Sequence, residues 1–165
     1  MYEELLIGYL ESLPLKAKCY ILKNIDKLNY DTIGFMWDIV QDCKSPIEFI
    51  LAIALFIRTN GELFFETQME IAYKKKKYYG DIGIYGDKYI NSFLKEDFVL
   101  IIECDGYEFH QKTKKQVEND NKREYDIKML GYNILRFSGS EIYNNVDLCV
   151  DKILNYLSTI GRKNE

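Results

Sequence analysis

Phe98-Val99-Leu100-Ile101-Ile102-Glu103-Cys104-Asp105-Gly106-Tyr107-Glu108-Phe109-His110 is the stretch that decides the reading of this chain. Its opening apolar run has the length and composition of a buried strand. The run ends in two carboxylates, turns at a glycine, and meets the chain's only histidine at His110. Side chains alternate along an extended strand, so Glu103 and Asp105 share one face while the Cys104 thiol points to the other, into the core. Two carboxylates on one face at the end of a core strand are costly unless something positive neutralises them. A divalent metal ion with hard oxygen ligands is the usual partner.

Outward from this strand, the flanking segments predict a layered α/β domain. On its C-terminal side, Gln111–Leu130 is a charged helical segment stopped by Gly131. Tyr132–Phe137 is a strand with Leu135 and Phe137 on one face and Ile134 on the other, so helices cover both faces. After Gly139, apolar residues from Val146 to Ile160 recur at helical spacing, and Gly161 closes that helix. On the N-terminal side, Tyr78–Tyr85 is a strand centred on Asp81, joined to Phe98–Cys104 by a long irregular connection, Gly86–Asp97. Phe65–Ala72 alternates, with Phe65, Thr67, Met69 and Ile71 predicted on one side and Glu66, Gln68 and Glu70 on the other. Ser45-Pro46-Ile47-Glu48 opens a mostly apolar helix, with Ser45 as N-cap, Pro46 at the first position, Glu48 completing a capping box, and Asn60-Gly61 as the stop.

Three further helices are predicted before it: Tyr2–Leu13, Leu15–Leu28, and Thr32–Cys43 capped by Asp31. Phe35, Met36 and Trp37 read as core residues of the third. The order is helix, antiparallel three-strand meander, helix, strand, helix: a mixed α/β sheet flanked by helices. The predicted division is a helical N-terminal extension over 1–44 and a domain over 45–161.

Composition bounds the function classes. With 165 residues, of which 47% are hydrophobic, the chain can build one substantial core. Its four cysteines lack zinc-type spacing and read as free thiols of a reducing cytosol. The first ten residues carry Glu3 and Glu4 and no basic start, and the most apolar stretch, Ile47–Ile57, contains Glu48 and is too short to span a bilayer. A cytoplasmic protein without membrane association is expected. The net charge of −4 argues against tight, sequence-independent nucleic-acid binding, although local basic patches coexist with an acidic total.

Three ordered segments resemble the PD-(D/E)XK, or restriction-endonuclease-like, superfamily, and within it the very-short-patch-repair endonucleases and their uncharacterised relatives. They are Tyr78-Tyr79-Gly80-Asp81-Ile82-Gly83-Ile84, then Ile101-Ile102-Glu103-Cys104-Asp105-Gly106 ending at Phe109-His110, then Asp120-Asn121-Lys122-Arg123 running through Leu130-Gly131-Tyr132 to Leu135-Arg136-Phe137. The likeness covers about residues 45–147. It implies a metal-dependent DNA endonuclease using Mg²⁺ or Mn²⁺, with Asp81 and Glu103 as metal ligands and catalytic acids. The Cys104 backbone carbonyl is a further candidate ligand, and Glu48 a weaker one from the preceding helix. His110 would serve proton transfer or contact the phosphate, and Asp105 either assists the metal or shapes the Asp-Gly turn. Where the superfamily places a lysine, this chain has Asp105; the short-patch-repair enzymes also lack that lysine and use two histidines, of which His110 matches one.

Gln68 is a candidate support for the site. Lys74, Lys75, Lys112, Lys114 and Arg123 are candidate DNA contacts, with Arg123 pairing either with Asp120 or with phosphate. The alternative function is a nuclease-fold module, impaired in cleavage, that binds DNA or a protein partner. A weaker alternative is an α/β domain in which Glu103 and Asp105 are structural. The sequence leaves homodimerisation open.

Overall fold

The computed structural model describes residues 2–106 and 113–163. In chain order the elements are α1 (Tyr2–Ser12), α2 (Leu15–Lys23), α3 (Tyr30–Val40), α4 (Pro46–Arg58), β1 (Glu66–Tyr73), β2 (Lys76–Tyr85), β3 (Val99–Asp105), α5 (Lys114–Met129), β4 (Asn133–Ser138) and α6 (Gly139–Tyr156). The sheet order is β1-β2-β3-β4, with β1/β2 and β2/β3 antiparallel and β3/β4 parallel. This is the expected mixed sheet: a meander, then a crossover through α5 to a parallel strand. No helix among the described residues is long and apolar enough to cross a membrane.

β3 sits in the middle of the core, which explains its unbroken apolar run. Leu100 and Ile102 face a large cluster with α4 and α6, and Ile101 faces a smaller one with Ile71 of β1 and Ile127 of α5. Leu135 and Ile134 of β4 divide between the same two clusters, so both sheet faces are covered. α4 is the main helical support. Every residue from Ile50 to Ile57 is buried, as for a helix that is apolar all round. It stops where Asn60 and Gly61 take φ of 51° and 72°, the left-handed conformation that lets the Gly61 N–H return to the Phe56 carbonyl at 3.0 Å. Ala17 and Ile21 of α2 and Met36 and Val40 of α3 join the α4 cluster. The third of the expected core residues, Trp37, is half-buried and stacks on Tyr9.

Three expectations are corrected. The cap of α3 is Asn29, not Asp31: its side chain accepts the Thr32 N–H at 2.9 Å, and Thr32 Oγ1 accepts the Asn29 N–H at 2.8 Å. Phe35 is on the outer side of α3, 70% exposed, because the inward positions of that helix are Ile33, Met36 and Val40. The alternation of β1 does not run through. Phe65 lies in the α4 cluster, and the Thr67 hydroxyl donates to the Ile39 carbonyl of α3, whereas Met69 and Ile71 pack on the α5 side. The switch falls at Gln68, whose φ is 54°. A left-handed residue in a strand turns the following side chains to the other face.

Candidate active site

The switch in β1 lies across from Asp81. Thr67 pairs with Ile82 and Met69 with Gly80, so Gln68 and Asp81 are opposite each other where the ladder is interrupted. On its other side β2 pairs with β3 only from Ile82 to Tyr85. Before Ile82 the strand swings away from β3 as an arm held by β1. Gly80 permits the close approach at the swing: a Cβ there would lie 2.6 Å from Ile101 Cγ2.

This divergence opens backbone groups that side chains then satisfy. Asp81 Oδ2 accepts the Cys104 N–H of β3 at 2.7 Å. Arg123 of α5 donates through Nη2 to the Tyr79 carbonyl at 2.5 Å and to Glu103 Oε1 at 2.7 Å. One turn further along α5, buried Asp126 accepts from Lys76 Nζ and Tyr78 OH, both at 2.5 Å. Arg123 and Asp126 thus fasten the β2 arm to α5 from one helix face.

Glu48 approaches from the start of α4. Ser45 Oγ accepts the Glu48 N–H at 3.3 Å, as expected of an N-cap. The reciprocal half of the predicted capping box is missing. Glu48 Oε2 instead accepts the Lys44 N–H and Gln68 Nε2, each at 2.9 Å. The reason is burial: Glu48 is 5% exposed, and its carboxylate takes one donor from the sheet, Gln68, and one from the backbone just before the cap, Lys44. Gln68, the residue of strained backbone, therefore holds Glu48 next to the Asp81 position.

The electrostatics record the convergence. Burial raises the Asp81 carboxyl to about 6, and the charges of Glu103 and Glu48 push the same way, while the Cys104 N–H and Arg123 oppose the rise. Beneath the acids, the thiols of Cys43 and Cys104 are driven well upward, first by burial and then by Glu48 and Asp81. They are protonated core groups rather than soft metal ligands.

The donor set fits a hard divalent ion of the Mg²⁺ type. Asp81 Oδ1, Glu103 Oε2 and Glu48 Oε1 accept no hydrogen bond from the described residues, and no buried side-chain oxygen or nitrogen among them is left unpartnered, so these three oxygens are reached by water. No group of three or more acids, histidines or cysteines among the described residues forms a ready-made cage. Mg²⁺ asks for one or two carboxylates and keeps several waters.

The other candidates divide. Arg123 faces the acids and takes Glu103 and Tyr79 as partners. Asp105 ends β3 opposite Ser138 of β4. Lys74 and Lys75 form the tip of the β1–β2 hairpin, with Lys74 at a φ of 54°. Lys114 opens α5 behind the N-cap Thr113. His110 and Lys112 lie outside the described residues. The Tyr79 carbonyl and the Lys44 N–H take part in the site without any sequence signal, because one is freed where β2 leaves β3 and the other lies in the chain just before α4. Lys44 also places its ammonium 5.2 Å from the Tyr79 ring.

Comparison with known proteins gives this geometry a family. The sequence model of the family REase_MTES_1575 matches residues 49–157, two thirds of the chain, from α4 into the turn after α6. The chain belongs to this restriction-endonuclease-like family. It is also 33% identical over 72 residues to an uncharacterised protein of Haemophilus influenzae, a match covering 44% of this chain and 58% of that relative. The chain therefore spans less than two thirds of that relative's length. No solved structure matches. The family membership makes residues 49–157 a nuclease-type domain and agrees with the α/β sheet described above.

Proposed function

We propose that this chain is a metal-dependent DNA endonuclease that hydrolyses phosphodiester bonds, with Asp81 and Glu103 as the metal-holding acids. The observation that carries the reading is the placement of Asp81 on β2 and Glu103 on β3 where the two strands part, with the Glu48 charge felt at Asp81 and one oxygen of each carboxylate left without a partner among the described residues. Mg²⁺, or Mn²⁺ in its place, supplies an activated water and charge relief on the phosphate.

The chain's own groups prepare that chemistry. The Cys104 N–H fixes the Asp81 carboxylate, Arg123 fixes Glu103, and Gln68 with the Lys44 N–H fixes Glu48 as a neighbouring third acid. Preorganised carboxylates need no rearrangement when the substrate arrives. The Cys104 carbonyl is a further ligand in this reading. Asp105 supports the site from the strand end, and His110 moves a proton to or from the reacting oxygens. Lys74, Lys75, Lys112, Lys114 and Arg123 contact the DNA backbone. The protein works in the cytoplasm.

A second reading is favoured by one observation, the ion pair between Arg123 and Glu103. A Glu103 permanently neutralised by Arg123 would leave a domain that binds DNA, or a protein partner, without cutting. Supercoiled plasmid incubated with Mg²⁺, Mn²⁺ or EDTA separates the two. Nicking that needs metal and is lost in Asp81→Ala and Glu103→Ala supports the endonuclease. Metal-independent DNA retention without nicking, by folded protein, supports the binding module.

A further inference from the structure

We propose that Arg123 is a positioning residue that sets metal occupancy of the Asp81–Glu103 pair and hands its charge to a DNA phosphate during turnover. The inference rests on the reading of those two acids as the metal pair. A single nitrogen, Nη2, joins the strand that carries Asp81 to the strand that carries Glu103, through the Tyr79 carbonyl and Glu103 Oε1. The joined groups are largely out of water: the Arg123 side chain is 23% exposed and the Glu103 side chain 12%. A guanidinium has five donors in a rigid fork. Here Nε and Nη1 donate to no described residue and are reached by water.

That arrangement has two consequences. First, a cation resting on Glu103 repels a second cation at the same acids, so Arg123 weakens metal binding in the protein without DNA. Second, Nη1, with two N–H groups and no partner among the described residues, is a separate donor for a phosphodiester oxygen while Nη2 keeps its two protein bonds. A phosphate drawn to Nη1 offsets the guanidinium charge and leaves Glu103 more fully available. Metal and DNA then favour each other's binding, as linkage requires of any such coupling. Lysine carries its donors on one nitrogen and cannot keep the Tyr79 and Glu103 bonds while presenting a separate nitrogen to phosphate, so it reproduces the first effect and not the second.

The test measures Mn²⁺ affinity by calorimetry on the full chain without DNA, and separately the kcat and KM of plasmid nicking at saturating Mn²⁺. Four proteins are compared: wild type, Arg123→Ala, Arg123→Met, which keeps the apolar stem should the alanine variant unfold, and Arg123→Lys. The expected result is Mn²⁺ binding tightened by roughly tenfold in the alanine and methionine variants, with kcat reduced by at least about tenfold despite fuller metal occupancy. Arg123→Lys keeps the wild-type affinity within about twofold and still loses turnover. Unchanged or weaker Mn²⁺ binding in folded Arg123→Ala or Arg123→Met overturns the inference, as does full turnover in Arg123→Lys. Failure of the parent reading looks different: the wild type then binds no Mn²⁺ and Asp81→Ala matches it in every assay, which overturns both.

Discussion

Replacing Asp81 by Asn should make the metal-free protein more stable at neutral pH, which is the reverse of what removing a well-placed structural aspartate does. The Asp81 carboxyl is raised from 3.8 to about 6, mainly by burial and then by Glu103 and Glu48. A group whose folded value lies above its unfolded one contributes stability below the ordinary aspartate range, and that contribution is lost as pH rises through about 6. At 1.36 kcal/mol per pH unit the ceiling is about 3 kcal/mol at pH 7.5. Partial exposure of Asp81 screens the repulsion, so about 1–2 kcal/mol is the working figure. Asn keeps an oxygen for the Cys104 N–H, so the existing hydrogen bond at 2.7 Å survives the change. For a chain of this size the gain corresponds to roughly 3–6 °C in melting temperature. The assay is urea unfolding in EDTA of both proteins at pH 4 and pH 7.5. The expected curves nearly coincide at pH 4 and separate at pH 7.5, with the Asn protein ahead. Added Mg²⁺ then stabilises the wild type alone and narrows the gap. An Asn variant that is equal to or weaker than wild type at pH 7.5 in EDTA would refute the crowding of acids argued here.

Other substitutions test the framework around the site. Gly80→Ala puts a Cβ against Ile101, so it should cost about 1–3 kcal/mol in denaturant unfolding and reduce nicking by displacing Asp81. Asn29→Ala should cost about 1 kcal/mol and Asp31→Ala nearly nothing, since Asn29 alone caps α3; equal effects in thermal melts would contradict the assignment. Leu51→Ala, at a fully buried position of α4, should cost about 2–5 kcal/mol. Asp126→Asn should loosen the β2 arm, read as faster amide exchange in residues 74–80. The Asp126 carboxyl is held below its ordinary value by Lys76 and Tyr78, so this tie is intact above the usual aspartate range and is lost as pH falls through the depressed value.

The parts legible in the sequence were those fixed by burial on both sides. The apolar run before Glu103 and the alternation around Ile134 and Leu135 state which residues enter the core, and the sheet order followed from them. Ser45 and Pro46 announced α4 by local chemistry alone. The misread parts depend on single backbone conformations or on distant partners. Nothing in Phe65–Ala72 signals that Gln68, not a glycine, takes a left-handed φ and turns the strand over. Asn29 and Asp31 are both good cap residues, and the choice rests on the reciprocal bond from Thr32. Glu48 carries the spacing of a capping box, yet burial beside Gln68 redirects it. Arg123 had a near neighbour of opposite charge in Asp120, while its acid partner in the fold, Glu103, is twenty residues away and reachable only because β2 opens towards α5. The acids of the site were visible as residue types, and Gln68 and Arg123 as candidates, but the bonds that hold the acids were not, because they join residues distant in sequence or use backbone N–H groups such as that of Cys104.

The central claim is that Asp81 and Glu103 form a metal-dependent cutting site, and the most direct measurement is the initial rate of Mg²⁺-dependent plasmid nicking by wild type and by Asp81→Asn, side by side in the same buffer. Asn preserves size, the Cys104 contact and the fold, and removes only the charge. The account predicts nicking by the wild type, abolished by EDTA, and a loss of at least roughly 100-fold in the variant. A variant that nicks within a few fold of wild type, or a folded wild type that nicks with no metal at all, would contradict it.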